Sequence, residues 1–159
     1  MKTAKWALVI SLAFIIIYAI GVLIIPDRIE KAKNKTLVLP PYTVSDEAKD
    51  LYNSLDFIAD LHCDALLWNR DLSEKSDIGH VDFPRMQEAN VALQAFTIVT
   101  KSPVGQNFSK NSGESMDNIT LLSIVQGRPI SNWFSLIERA IYQSRKLYKQ
   151  ASRFNNEFI

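Results

Sequence analysis

Residues 6–25, WALVISLAFIIIYAIGVLII, form a run of 20 positions without a single charge. An α-helix rises about 1.5 Å per residue, so such a run matches the roughly 30 Å hydrocarbon core of a bilayer. This predicts one membrane anchor over residues 6–25. Two other readings compete: a cleaved signal peptide, whose apolar region is usually about 7–15 residues and ends in a small-residue cleavage motif, and a buried core helix. Neither signal-peptide feature is present, because Gly21 is isolated and the run continues through Val22, Leu23, Ile24 and Ile25 to Pro26. A five-residue tail ahead of the run reads as a signal anchor. That places the chain as a single-pass protein of the inner membrane, with its body exported to the periplasmic side. The basic residues count the other way, since Lys2 and Lys5 precede the run while Arg28, Lys31, Lys33 and Lys35 follow it.

Beyond the anchor the chain reads as soluble. Eighteen basic and 17 acidic side chains in 159 residues leave no field to attract nucleic acid, which is not an expected partner. The expected organisation is a tail over residues 1–5, the anchor over 6–25, a juxtamembrane segment and linker over 26–42, and a body over 43–159. The charged residues 27–35 can prolong the anchor helix, and the Pro40-Pro41 pair ends any helix reaching it. SDEAKDLYNSL offers Thr43 or Ser45 as an N-cap and Ala48, Leu51 and Leu55 at helical spacing. Strands are expected from Phe57 onward and over residues 91–99 (VALQAFTIV), with a polar stretch over 101–118. Ile130, Trp133, Phe134, Ile137, Ala140, Ile141, Leu147, Tyr148, Ala151 and Phe154 then follow the period of a long amphipathic helix whose aromatic residues belong to the core.

The segment IADLHCDALLW, residues 58–68, sets Asp60, His62 and Asp64 at alternate positions in an apolar run. Successive side chains of a strand alternate faces, so the three share one face and Leu61, Cys63 and Ala65 the other. Buried carboxylates are costly, and a metal ion can hold an imidazole and a carboxylate together in a dry site. Nitrogen and oxygen donors suit zinc. The competing reading is a half-exposed edge strand whose polar face meets water, and the spacing alone does not choose between them. Cys63, the single cysteine, has no internal disulfide partner and is expected to pack as a thiol rather than bind metal.

A second motif follows in Gly79-His80-Val81-Asp82-Phe83-Pro84-Arg85-Met86 and leads into the 91–99 strand. Together, DLHCDALL and HVDFPRMQEANVALQAF resemble the opening of the membrane dipeptidase family, the renal-dipeptidase-like zinc peptidases. The resemblance is close over residues 57–99 and loose to residue 159. It implies an α/β fold, the N-terminal part of an eightfold (β/α) barrel of the TIM type, with its metal ligands at the C-terminal ends of the strands. By resemblance, His62 and Asp64 ligate one zinc of a two-zinc site, and Asp60 stands behind them as a supporting carboxylate. The implied activity is dipeptide hydrolysis by a metal-bridging water. A homodimer of the complete enzyme is left open. His80 and Asp82 repeat the H-x-D spacing but fall in the loop and short helix after the first strand, where they serve structure. Asn90 stands where the family usually has glycine.

A barrel of this kind needs about 250 residues. The 159 residues hold only two histidines, His62 and His80, so the sequence reads as the N-terminal third of such an enzyme, with no complete catalytic set of its own. Two further classes stay open: a noncatalytic membrane-tethered remnant or interaction module, and another metal-dependent barrel amidohydrolase.

Overall fold

In the computed structural model, which describes residues 2–154, the apolar run is the middle of one long helix, α1 (Lys2–Lys33). The helix does not stop at Pro26. It continues through the charged residues to Lys33, where Lys31 and Lys33 in the last turn complement the negative end of the helix dipole. None of its most apolar membrane-length stretch is buried by the rest of the protein, which removes the core-helix reading. A helix that is apolar on all sides and left uncovered is stable in lipid rather than in water. Among the described residues it is the one helix long and apolar enough to cross a membrane.

The body begins with α2 (Asp46–Ser54), whose N-cap is Ser45: its hydroxyl accepts the Ala48 N–H at 3.3 Å, and Asp46 and Glu47 occupy the first turn. Strand β1 (Ile58–Cys63) ends in a 3₁₀ turn at Ala65–Leu67. Helix α3 (Phe83–Glu88) leads to strand β2 (Val91–Phe96), which runs parallel to β1 with Ile58 opposite Val91 and Cys63 opposite Phe96. Three helices complete the body: α4 (Asn118–Val125), α5 (Ser131–Phe134) and α6 (Leu136–Ala151). The apolar core is small, with Ala65, Leu66, Leu72, Phe83 and Met86 at its centre, and Cys63, Phe96, Leu147 and Phe154 packed around them. The Phe83 ring meets Phe96 edge-on at 6.1 Å.

Body and anchor pack against each other. Arg70 Nε sits 2.8 Å from Glu30 of α1, and both side chains are almost fully buried. The Tyr18 hydroxyl donates to the carbonyl of Ile124 at 2.9 Å. Gly127, at φ 65°, lies so close to α1 that a Cβ there would come within 2.7 Å of Val22 Cγ1.

The eightfold barrel is corrected by this architecture. The chain forms a small, mostly helical domain with an open two-stranded sheet. A barrel closes only when its first strand bonds its last. Here residues 97–117 form a loop, pinned by the Val104 N–H to the Met116 carbonyl at 2.8 Å, and only helices follow it among the described residues.

The long C-terminal helix expected from periodicity also differs. It breaks at Ser135, whose hydroxyl caps α6 by accepting the Glu138 N–H at 3.2 Å. Phe134 and Tyr148, expected in the core, face outward, as do Ile130 and Ile137 of the same apolar stripe, and the buried face of α6 carries Arg139, Gln143 and Gln150. Hydrogen bonding explains the inversion. Arg139 is 1% exposed. It donates to the carbonyls of Asn132 (2.7 Å), Thr100 (2.6 Å) and Trp133, to the Asp117 carboxylate at 2.5 Å and to the Thr120 hydroxyl at 2.7 Å. Gln143 exchanges bonds with the Val99 N–H (3.3 Å) and carbonyl (3.0 Å). These side chains satisfy loop and helix-end backbone groups that an apolar face would leave unpaired.

Candidate functional site at the end of the parallel strands

Asp60 lies within β1, while His62 and Asp64 lie where it ends, the position at which open α/β units place their chemistry. His62 Nε2 is 3.5 Å from Asp64 Oδ1, so the structure brings the two expected ligands side by side. Thr97, the first residue after β2, joins them by donating its hydroxyl to Asp64 Oδ1. Its N–H also bonds the Cys63 carbonyl at 2.9 Å. Sequence reasoning missed Thr97; its signal was the parallel register, which sets Phe96 opposite Cys63 and hence Thr97 beside Asp64. Asp60 is committed locally: its carboxylate accepts the His62 backbone N–H at 3.1 Å. That bond, with a lesser contribution from Gln94, holds its carboxyl below the usual range.

The site is wet. The His62 side chain is 73% exposed and that of Asp64 48%, so the dry cage expected for metal is not built here. Cys63 turns toward the core, where burial pushes its thiol pKa up, as suits an inert packing thiol. Asp82 is fully buried and caps α3, accepting the N–H groups of Arg85 (2.9 Å) and Ser76 (3.0 Å) and the Arg85 guanidinium at 2.7 Å. This is the structural role its loop position implied. Its companion His80 is exposed. Asn90 adopts φ 53°, a left-handed conformation asparagine tolerates. Its side-chain amide donates to the carbonyls of Leu55 and Asp56, both at 3.3 Å, and holds the entrances of the two strands together.

A separate cleft of about 420 Å³ runs along α6, between Asn132, Tyr142, Arg145, Lys146, Lys149 and Arg153. Burial lowers the Lys146 pKa from its ordinary value to about 8, with the nearby Arg128 adding to the effect.

Comparison with protein-family models, with curated proteins and with solved structures gave no match. The zinc dipeptidase implied by the motifs, and with it the wider expectation of a metal-dependent barrel hydrolase, is corrected by the residues themselves. Zinc needs three or four protein ligands in a structural or catalytic site. Among the described residues there is no group of three or more His, Cys, Asp or Glu side chains placed to share one ion. The described residues therefore form neither the barrel nor the ligand cluster on which that hydrolysis depends.

Proposed function

We propose that this chain is a single-pass, membrane-anchored docking module whose exported body offers an unfinished parallel sheet to a strand from another polypeptide segment. The observation that carries this reading is the sheet itself. β1 and β2 pair only with each other among the described residues, while Phe57, Leu61 and Leu93 stand exposed on them and at the start of β1. Parallel sheets otherwise occur with both faces covered, and a two-stranded pair is marginal by itself. An added strand satisfies free backbone edge groups and covers apolar side chains in one step, which neither lipid nor a small molecule does. Leu51 and Tyr52 of α2, and Leu55 after it, are exposed apolar side chains of the same body.

Kinship of residues 57–99 with the opening of the membrane dipeptidase family belongs to the same proposal, without that family's activity. His62 and Asp64 then become two donors of an incomplete zinc site, which takes the metal only when the incoming polypeptide contributes further ligands. A photo-crosslinking residue at Leu61 or Leu93, in cells carrying the full chain, tests docking. Discrete protein adducts at both positions, absent at Tyr148, which is more exposed than either, are expected; lipid adducts alone, or equal labelling at Tyr148, contradict it. A reporter fused after Pro41 tests the exported side, and activity confined to the cytoplasm reverses the orientation.

A further inference from the structure

We propose a second membrane contact: residues 118–137, which comprise α4, α5, their connection and the start of α6, lie in the lipid–water interface beside the anchor. The inference rests on α1 spanning the bilayer. Tyr18 lies seven residues before the end of the apolar run at Ile25, which at 1.5 Å per residue is roughly 10 Å along the helix axis. The body reaches that depth, because the Ile124 carbonyl takes the Tyr18 hydroxyl and Gly127 touches Val22. With α1 in the bilayer, the C-terminal end of α4 enters the headgroup and acyl boundary, the zone in which interfacial helices bury their apolar faces by about 5–10 Å.

The chemistry of the segment fits that place. Across residues 118–137 the only charged side chain is Arg128, which is 3% exposed. Its guanidinium turns inward, donating to the Leu67 carbonyl at 2.5 Å and lying 5.1 Å over the Tyr142 ring. The stretch therefore shows no charge to its surroundings. It shows large apolar side chains instead: Ile130 is 73%, Phe134 76% and Ile137 72% exposed, with Leu121 and Leu136 also uncovered. A contiguous apolar patch of this kind marks a membrane or protein contact, and its continuity with the anchor selects lipid. The Trp133 indole N–H, bonded to the Arg128 carbonyl at 3.0 Å, leaves the ring without a polar group to keep in water.

The test uses the full chain in phosphatidylcholine vesicles, with Cys63→Ser and an environment-sensitive fluorophore on Ile130→Cys, Phe134→Cys or Tyr148→Cys. Labels at 130 and 134 should emit at shorter wavelength than at 148 and be quenched severalfold more strongly by spin-labelled lipid. Equal emission and quenching at all three positions, in chain that stays with the vesicles through an alkaline wash, overturns the interfacial seat while leaving the anchor intact. Chain removed by that wash overturns the anchor and the seat together. A second measurement keeps Cys63: Ile130→Asp with Phe134→Asp should speed backbone hydrogen exchange over residues 118–137 severalfold in vesicles, and unchanged exchange there also overturns the proposal.

Discussion

Replacing Arg139 with methionine should unseat α4, α5 and α6 from the rest of the body. The methionine fills much of the same volume but donates nothing. Three carbonyls, on Thr100, Asn132 and Trp133, lose a donor, as does the Thr120 hydroxyl. The Asp117 carboxylate, 14% exposed, loses its cation. Breaking a buried ion pair by removing one partner costs about 3–5 kcal/mol, and each carbonyl left unpaired adds about 1–3 kcal/mol wherever water does not replace the donor. A loss of at least about 4 kcal/mol is expected, against about 5–15 kcal/mol for the whole of a typical domain. Thermal and denaturant unfolding of the detergent-solubilised chain, followed by tryptophan fluorescence, measures it; Tm should fall by more than about 10 °C. Asp117→Asn should cost less, because the asparagine oxygen can still accept the N–H groups of Ser102 and Ile119, held at 2.9 and 3.0 Å. The double variant should cost clearly less than the sum of the two, since the pair acts as one unit. A loss below about 1 kcal/mol for Arg139→Met, or strict additivity with Asp117→Asn, would refute the claim that this ion pair organises the helical layer.

Gly127→Ala forces a Cβ into Val22 at a positive φ and should cost about 1–3 kcal/mol; Val22→Ala in the same chain should recover part of the loss in Tm, and no recovery would place the strain elsewhere. The Lys146 ammonium is disfavoured by folding, its pKa falling from 10.5 to about 8. The unfolded chain therefore holds the extra proton between these values, and stability from this group rises with pH across about 8 to 10.5, by at most roughly 3 kcal/mol. Lys146→Met should flatten that rise in a pH series of denaturant midpoints, and an unchanged slope would discount the buried lysine. Asp117 also has a lowered pKa, but its window lies at acid pH and it is the charged form that folding favours. Burial alone would raise its pKa, but the Ser102 N–H and the Arg139 guanidinium outweigh that and hold it low. Its contribution is present above about pH 4 and lost as the pH falls through the lowered value; Asp117→Asn lacks that contribution and should unfold at a higher pH on acidification than the parent chain, and an acid midpoint displaced toward lower pH would go against this. Zinc titration followed by calorimetry should show weak uptake by the purified chain, reduced further in His62→Ala with no change in Tm; tight stoichiometric binding would mean that a complete site exists.

The elements read correctly from sequence are those in which local chemistry and burial agree. The long apolar helix follows from an uncharged run, α2 from the Ser45 cap and its acidic first turn, and the two strands from apolar runs bounded by polar residues. Asp82 was assigned to structure from its loop position, and it caps α3. The misread region is the C-terminal third. Apolar periodicity pointed Ile130, Phe134, Ile137 and Tyr148 inward, but the face of α6 that carries Arg139, Gln143 and Gln150 is the one that reaches the backbone at Thr100, Val99 and Arg70. A polar face used to satisfy backbone groups of other elements has no hydrophobic signature. α4 was missed because NITLLSIV is apolar on nearly every side, so it shows no period, although Asp117 supplies a cap signal by accepting the Ile119 N–H. For the site, the H-x-D spacing at the end of β1 was enough to set His62 beside Asp64, whereas Thr97 comes from the segment after the parallel neighbour. The barrel failed at the level of topology: two adjacent strands and the helix between them carry local sequence patterns, but the number of strands in the sheet is a property of the rest of the chain.

Amide hydrogen exchange across β1 and β2, in the full chain held monomeric in detergent or nanodiscs, tests the unfinished sheet most directly. In a parallel pair, alternate amides of each strand point to the neighbour and the others away from it. The account predicts slow exchange for amides between the strands, such as the Ile58 N–H bonded to the Asn90 carbonyl and the Thr97 N–H bonded to the Cys63 carbonyl. It predicts fast exchange for those on the two outer edges. Slow exchange at every amide of both strands in the monomer would mean that the sheet is already complete, and would contradict the docking module.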